Sequence, residues 1–68
     1  MDTKAILQSE LLRAEEVAKI LKIGRSTVYQ MCKRHELPYV AITHSIRIPA
    51  DALRRWLDSR LNLPGEGL

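Results

Sequence analysis

Residues 14–38 read AEEVAKILKIGRSTVYQMCKRHELP, and the spacing of apolar residues along them decides the fold. Val17, Ala18, Ile20 and Leu21 recur at helical steps, with Glu15, Glu16, Lys19 and Lys22 opposite. Glu15 and Glu16 fall in the first turn, where the positive end of the helix dipole favours carboxylates. This helix is expected to begin at Ala14 and stop near Lys22, ahead of Ile23-Gly24. A second begins almost at once, with Gly24 as an acceptable N-cap and Ser26 or Thr27 as further candidates. Val28, Met31 and Cys32 line one of its faces. Arg25, Ser26, Tyr29, Gln30, Lys33 and Arg34 take the other. Pro38 pushes Leu37 out of helical geometry and closes the segment. Two helices joined by about three or four residues form a helix-turn-helix.

Working outward, the period changes after Pro38 from helical to alternating. Val40 and Ile42, then Ile46 and Ile48, read as a short β-hairpin with Thr43-His44-Ser45 at its tip. An isolated hairpin is marginal in water, so its apolar face must rest on the helices. Pro49 suits the first turn of a third helix, since it lacks an amide donor. There Leu53, Trp56, Leu57 and Leu61 repeat at three- and four-residue steps, with Trp56 as the expected core anchor. The fold class is therefore mostly α with a small β-hairpin: a winged helix-turn-helix with a two-stranded wing and a C-terminal helix over residues 11–61. Residues 1–10 read as a flexible N-terminal arm and 62–68 as a flexible tail carrying Pro64, Gly65 and Gly67.

Sixty-eight residues leave room for one small domain. Such a chain buries only about 60% of the surface its unfolded form exposes, so the core must be thin. One cysteine permits no internal disulfide, and Cys32 on an apolar face reads as core. Two histidines give little basis for a metal site, and no cofactor motif is present. No signal peptide or bilayer-length apolar run is visible, which points to a cytoplasmic protein that does not enter membranes. A carboxylate pair in a cleft, a nucleophile–base pairing and a phosphate loop are all missing, so an enzyme is the weakest class.

Charge gives the sharper signal. Eleven Lys and Arg against eight Asp and Glu give +3. Ten of those bases and five of the acids lie in residues 11–61, which puts +5 there. No acid falls between Glu16 and Glu36, the stretch that spans the second helix. A polar face on an arbitrary helix is usually just solvated. Here it belongs to the second helix of a helix-turn-helix, the one that enters the DNA major groove. Arg prefers guanine and Gln prefers adenine, so Arg25 and Gln30 are the candidate base readers. Lys33 and Arg34, at the far end, are placed to grip phosphate.

The run from Leu11 to Leu21 resembles the opening helix of excisionase-type, MerR-like DNA-binding domains. Arg25-Ser26-Thr27-Val28-Tyr29 is similar to that family's recognition-helix start. Leu37-Pro38, Arg47-Ile48-Pro49, Ala52-Leu53 and Trp56-Leu57 match its turn, wing exit and last helix. The resemblance covers about residues 11–58. It implies sequence-specific binding to double-stranded DNA, with the second helix in the major groove and the wing over the adjacent minor groove. Arg25, Ser26, Thr27, Tyr29 and Gln30 would then face the groove and Arg47 would lie on the wing's return strand; His44 at the tip reads either as one further DNA contact, as a pH sensor, or as an ordinary exposed histidine. It further implies an excisionase that binds side by side in several copies, bends attachment-site DNA and assists a recombinase or integrase. A small transcriptional regulator of a phage or other mobile element is the alternative. From another class, a basic module docking on an acidic protein partner is the competing reading.

Four positions depart from the family pattern, one of them Gly24, which stands where a serine cap is usual. Arg13 stands where a Thr or Ser cap is usual, leaving the first helix without a side-chain acceptor unless Ser9 helps from further back. Lys22 stands where glycine is common, which implies a left-handed backbone there at a cost of about 1 kcal/mol. The wing tip has Thr43-His44-Ser45 in place of glycine and basic residues. His35, just past the second helix, is placed to cap its carbonyls. The Arg54-Arg55 pair reads equally as phosphate-facing or solvated.

Overall fold

The expected helices and hairpin form in the computed structural model, which describes Lys4 and residues 9–62. In chain order the elements are β1 (Leu11–Leu12), α1 (Ala14–Leu21), α2 (Arg25–Lys33), β2 (Val40–Ile42), β3 (Ser45–Pro49) and α3 (Ala50–Arg60). Residues 63–68 of the expected tail, and 1–3 and 5–8 of the expected arm, lie outside the described residues.

The helix-turn-helix closes as its breakers dictate. Lys22 takes the left-handed conformation anticipated for it, with φ 57° and ψ 45°. Its own N–H and that of Ile23 then both donate to Ala18 O, which satisfies the open carbonyl end of α1. Helix α2 ends in the same way. His35 adopts φ 60°, its N–H donates to Cys32 O at 3.0 Å, and Glu36 N–H donates to Met31 O at 2.8 Å. So the cap at His35 is made by its backbone.

β1 corrects the sequence reading. Leu11 to Arg13, placed by resemblance in the opening helix, are extended instead, and α1 begins at Ala14. Two residues cannot hold a strand alone, and these are held by β3. They pair antiparallel in the register Leu11 with Pro49 and Leu12 with Ile48. Alternation then drives Leu12 into the core and leaves Leu11 40% exposed. The sheet order is β1-β3-β2, so the wing is the outer hairpin of a three-stranded sheet. Val40 pairs with Arg47 and Ile42 with Ser45 across a two-residue tip. Thr43 sits there at φ 53°, a strained position for a β-branched residue. Ile42 does not rest on the helices as expected; at the tip it is 46% exposed.

Leu12 of β1, Val17 of α1, Val28 and Cys32 of α2, Leu37 of the following loop, Ile48 of β3 and Leu53 of α3 form the shared core, to which β2 adds no buried residue. A fully buried aliphatic side chain contributes roughly 1.5–3 kcal/mol, so these few carry the domain. Burial pushes the Cys32 thiol above its ordinary value. Trp56, expected as the core anchor, is only half-buried and packs against the core's edge. Its Nε1–H donates to Glu36 O at 2.7 Å, fastening α3 to the loop after α2.

The start of α3 supplies a second correction. Pro49 lies just before the helix, and Ala50 is its first residue. Ser9 does not serve α1: its Oγ accepts from Asp51 N–H at 2.9 Å, while Glu10 O accepts from Ala50 N–H at 2.7 Å. These last two residues of the N-terminal arm cap α3.

Candidate nucleic-acid interface

The seam that fixes α2 to the core is Val28 and Cys32, one turn apart and both buried, with Met31 half-buried beside them. Everything else on the helix is exposed: Arg25, Ser26, Thr27, Tyr29, Gln30 and Lys33, followed by Arg34 at its C-cap. The 3.6-residue period then sorts that face. Gln30, Ser26 and Lys33 point most directly away from the seam. Tyr29 and Arg25 flank them on one side, Thr27 and Arg34 on the other. Tyr29 is 47% exposed, so it does not serve as core.

Tyr29's side is the wing's side. A cleft of about 240 Å³, almost wholly polar, lies between α2, the start of α1 and the wing. It is lined by Arg13, Ala14, Glu15, Tyr29, His44, Ser45, Ile46 and Arg47. The fold therefore brings Tyr29, His44 and Arg47 together on one surface, although wing and helix are separate in sequence. Arg47 is half-buried, and its Nη1–H donates to the carbonyl of Ile46 at 2.8 Å, which ties its guanidinium back to the strand. His44 is exposed at the tip.

Arg13 also reaches this cleft, although its sequence position marks it only as a missing cap. The residue is extended at φ −80° and ψ 159°, and its N–H donates to Glu16 Oε1 at 2.9 Å. The guanidinium has no lone pair for the first-turn amides, so only this half of a capping box forms. The available signal was the odd residue type at an N-cap.

Helix α2 is bare at its N-terminus. Gly24 gives no side-chain cap, and no acidic residue falls in the first turn. The open amides and the positive end of the dipole are thus left for an outside anion. Arg54 and Arg55 behave otherwise, both pairing with Asp51, at 3.2 and 3.6 Å. Arg60 stacks over Trp56 at 4.7 Å from the ring centroid. Among the described residues no three of His, Cys, Asp and Glu gather to hold a metal ion. No described helix is long and apolar enough to cross a membrane.

Among known proteins, the helix-turn-helix domain family matches residues 11–61. An excisionase from Streptomyces ambofaciens is 38% identical over 52 residues, covering 76% of this chain and 84% of that protein. A Mycobacterium tuberculosis protein named for DNA binding is 33% identical over 52 residues, covering 76% of this chain and 67% of its own length; it occurs in strains CDC 1551 / Oshkosh and ATCC 25618 / H37Rv. No solved structure gives a significant match.

Proposed function

The chain belongs to the excisionase-type helix-turn-helix DNA-binding family, and on that premise we propose that it binds attachment-site DNA and helps a recombinase carry out excision. The observation that carries this reading is the continuity of α2 with the wing. Tyr29, His44 and Arg47 line one cleft, so helix and hairpin offer a single face able to engage two neighbouring grooves. In this reading Arg25 and Gln30 read base edges, with Ser26 and Thr27 beside them. Lys33 and Arg34 hold phosphates and fix the register. Tyr29, His44 and Arg47 engage the backbone and groove on the wing side.

One helix and one wing make few contacts, so tight occupation calls for several protomers side by side. Bending a site of this size costs on the order of 1–6 kcal/mol, offset by the contacts the bend permits. A row of small domains shares that cost, and bent DNA lets a recombinase or integrase bridge its sites. The protein itself supplies no reacting group in this scheme.

Footprinting the DNA beside its own gene tests the proposal. Tandem protected repeats next to a recombinase attachment site are the expected result. A single protected operator over a promoter would assign the protein to transcriptional regulation instead. Absence of protection at low salt would remove the DNA reading and favour an acidic protein partner.

A further inference from the structure

A duplex sets its major and minor grooves side by side with one phosphate ridge between them. A domain that seats α2 in one groove and its wing in the next must straddle that ridge. Whatever lies between helix and wing then faces phosphate. In this molecule the space is the polar cleft, and its volume of about 240 Å³ is several water volumes. We propose that this cleft is the seat for a backbone phosphate, and that Arg13, with Arg47, is the cation that holds it. This rests on the DNA-binding reading of the same face and adds, in Arg13, a contact that comes from neither the recognition helix nor the wing.

The wing tip itself has no lysine or arginine between Val40 and Ile46. The positive charge lining the cleft therefore comes from Arg47 at the strand and Arg13 on the opposite side. Both have guanidinium donors to offer. Arg13's makes no side-chain hydrogen bond or ion pair among the described residues, while Arg47 commits Nη1 to Ile46 O. Tyr29 and Ser45 add hydroxyls, His44 a ring nitrogen, and Glu15 one opposing carboxylate. Arg13 also occupies an N-cap where Ser, Thr, Asp or Asn would suit the helix better. A residue that breaks a local rule marks a site where function outweighs stability.

Arg13→Ser separates the two roles, because serine restores an N-cap acceptor as it removes the cation. The full-length chain, Arg13→Ser, Arg13→Gln and Arg13→Lys are titrated onto a short mixed-sequence duplex over a series of salt concentrations. Phosphate binding is independent of sequence, so the target site need not be known. Arg13→Ser should melt a few degrees higher and bind about 5- to 10-fold more weakly at low salt. Its slope of log affinity against log salt should be shallower by about 0.9, the increment for a single neutralised phosphate. Arg13→Gln should show the same shallower slope, and Arg13→Lys should keep the wild-type one. If the wild type binds and both neutral variants keep its affinity and slope, the phosphate seat is wrong while the DNA reading stands. If the wild type fails to bind any duplex at low salt, both fall together.

Discussion

Helices α2, with Arg34 at its C-cap, and α3 each carry three basic residues, and they treat that charge in opposite ways. In α3, Arg54 and Arg55 share Asp51 and Arg60 lies over Trp56. Its N-terminus is closed by Ser9, Glu10 and an acid in the first turn. In α2, Arg25, Lys33 and the following Arg34 have no ion-pair partner among the described residues, and the first turn holds no acid. Counting bases would rank the two helices together. What separates them is whether the protein has already answered the charge, and α2 is the helix left open to a polyanion.

The largest expected effect belongs to the closed helix. Trp56→Ala removes packing at the core's edge, the hydrogen bond to Glu36 O and the surface on which Arg60 stacks. A loss of about 3 kcal/mol is expected. For a domain of this size that lowers Tm by more than about 10 °C, measured by thermal denaturation. A loss under about 1 kcal/mol would mean that α3 is fastened elsewhere, and the contrast between a structural and a binding helix would weaken.

Next comes the open helix. Arg25→Ala with Gln30→Ala should cut affinity for the footprinted site at least about 30-fold, since each good bidentate base contact is worth roughly 1–3 kcal/mol. Both side chains are exposed, so Tm should stay within about 2 °C. The matching pair on α3, Arg54→Ala with Arg55→Ala, should change affinity by less than about threefold, because those exposed cations are already paired within the helix. Equal losses from the two double variants would break the comparison outright.

A single substitution sharpens it further. A side chain at Gly24 would meet only Thr27 Oγ1 at 3.7 Å and Ser26 Oγ at 3.9 Å, ordinary contacts, and the backbone there is extended. Gly24→Asp should therefore fit. It would cap α2, oppose its dipole and reduce unfolded-state freedom, a gain of about 0.5–1 kcal/mol. The same carboxylate would face DNA phosphate, so affinity should fall several-fold as Tm rises. If stability and affinity rise together, the bare N-terminus of α2 does not face the DNA.

How much of this was legible in the sequence follows the range of the interactions. The two helices and their tight turn were readable because apolar spacing and chain breakers act over a few residues, while the left-handed Lys22 followed from the resemblance to a family with glycine there. Trp56 and Cys32 were recognisable as packing residues, although Trp56 proved half-buried. β1 was hidden because Leu11 and Leu12 are extended only through pairing with Ile48 and Pro49 at the other end of the domain. Ser9's partner was hidden for the same reason: the donor it serves, Asp51 N–H, is 42 positions along the chain. In the site, the exposed face of α2 followed from periodicity. Arg13's place in one cleft with Arg47 did not, since it depends on the wing folding back toward the start of α1.

The smallest expected effect lies on the inner face of α2, where Cys32 is 3% exposed. Burial disfavours the thiolate, so its folded-state pKa is raised above the ordinary value of 9.0. Below about pH 9 the thiol is neutral in both states, and the stability this burial contributes is fully present. As pH rises past the unfolded value, the unfolded chain loses its proton first, and that stability is lost as pH climbs through the folded-state pKa. Wild-type Tm should therefore fall more steeply above about pH 9 than that of Cys32→Ala, which starts lower because of the small cavity but lacks the titration. The comparison is read as the difference between the two melting curves over an alkaline pH series. A parallel decline in both proteins would show that Cys32 is not held in the apolar seam, and with it that α2 does not present its opposite face in the way its binding role requires.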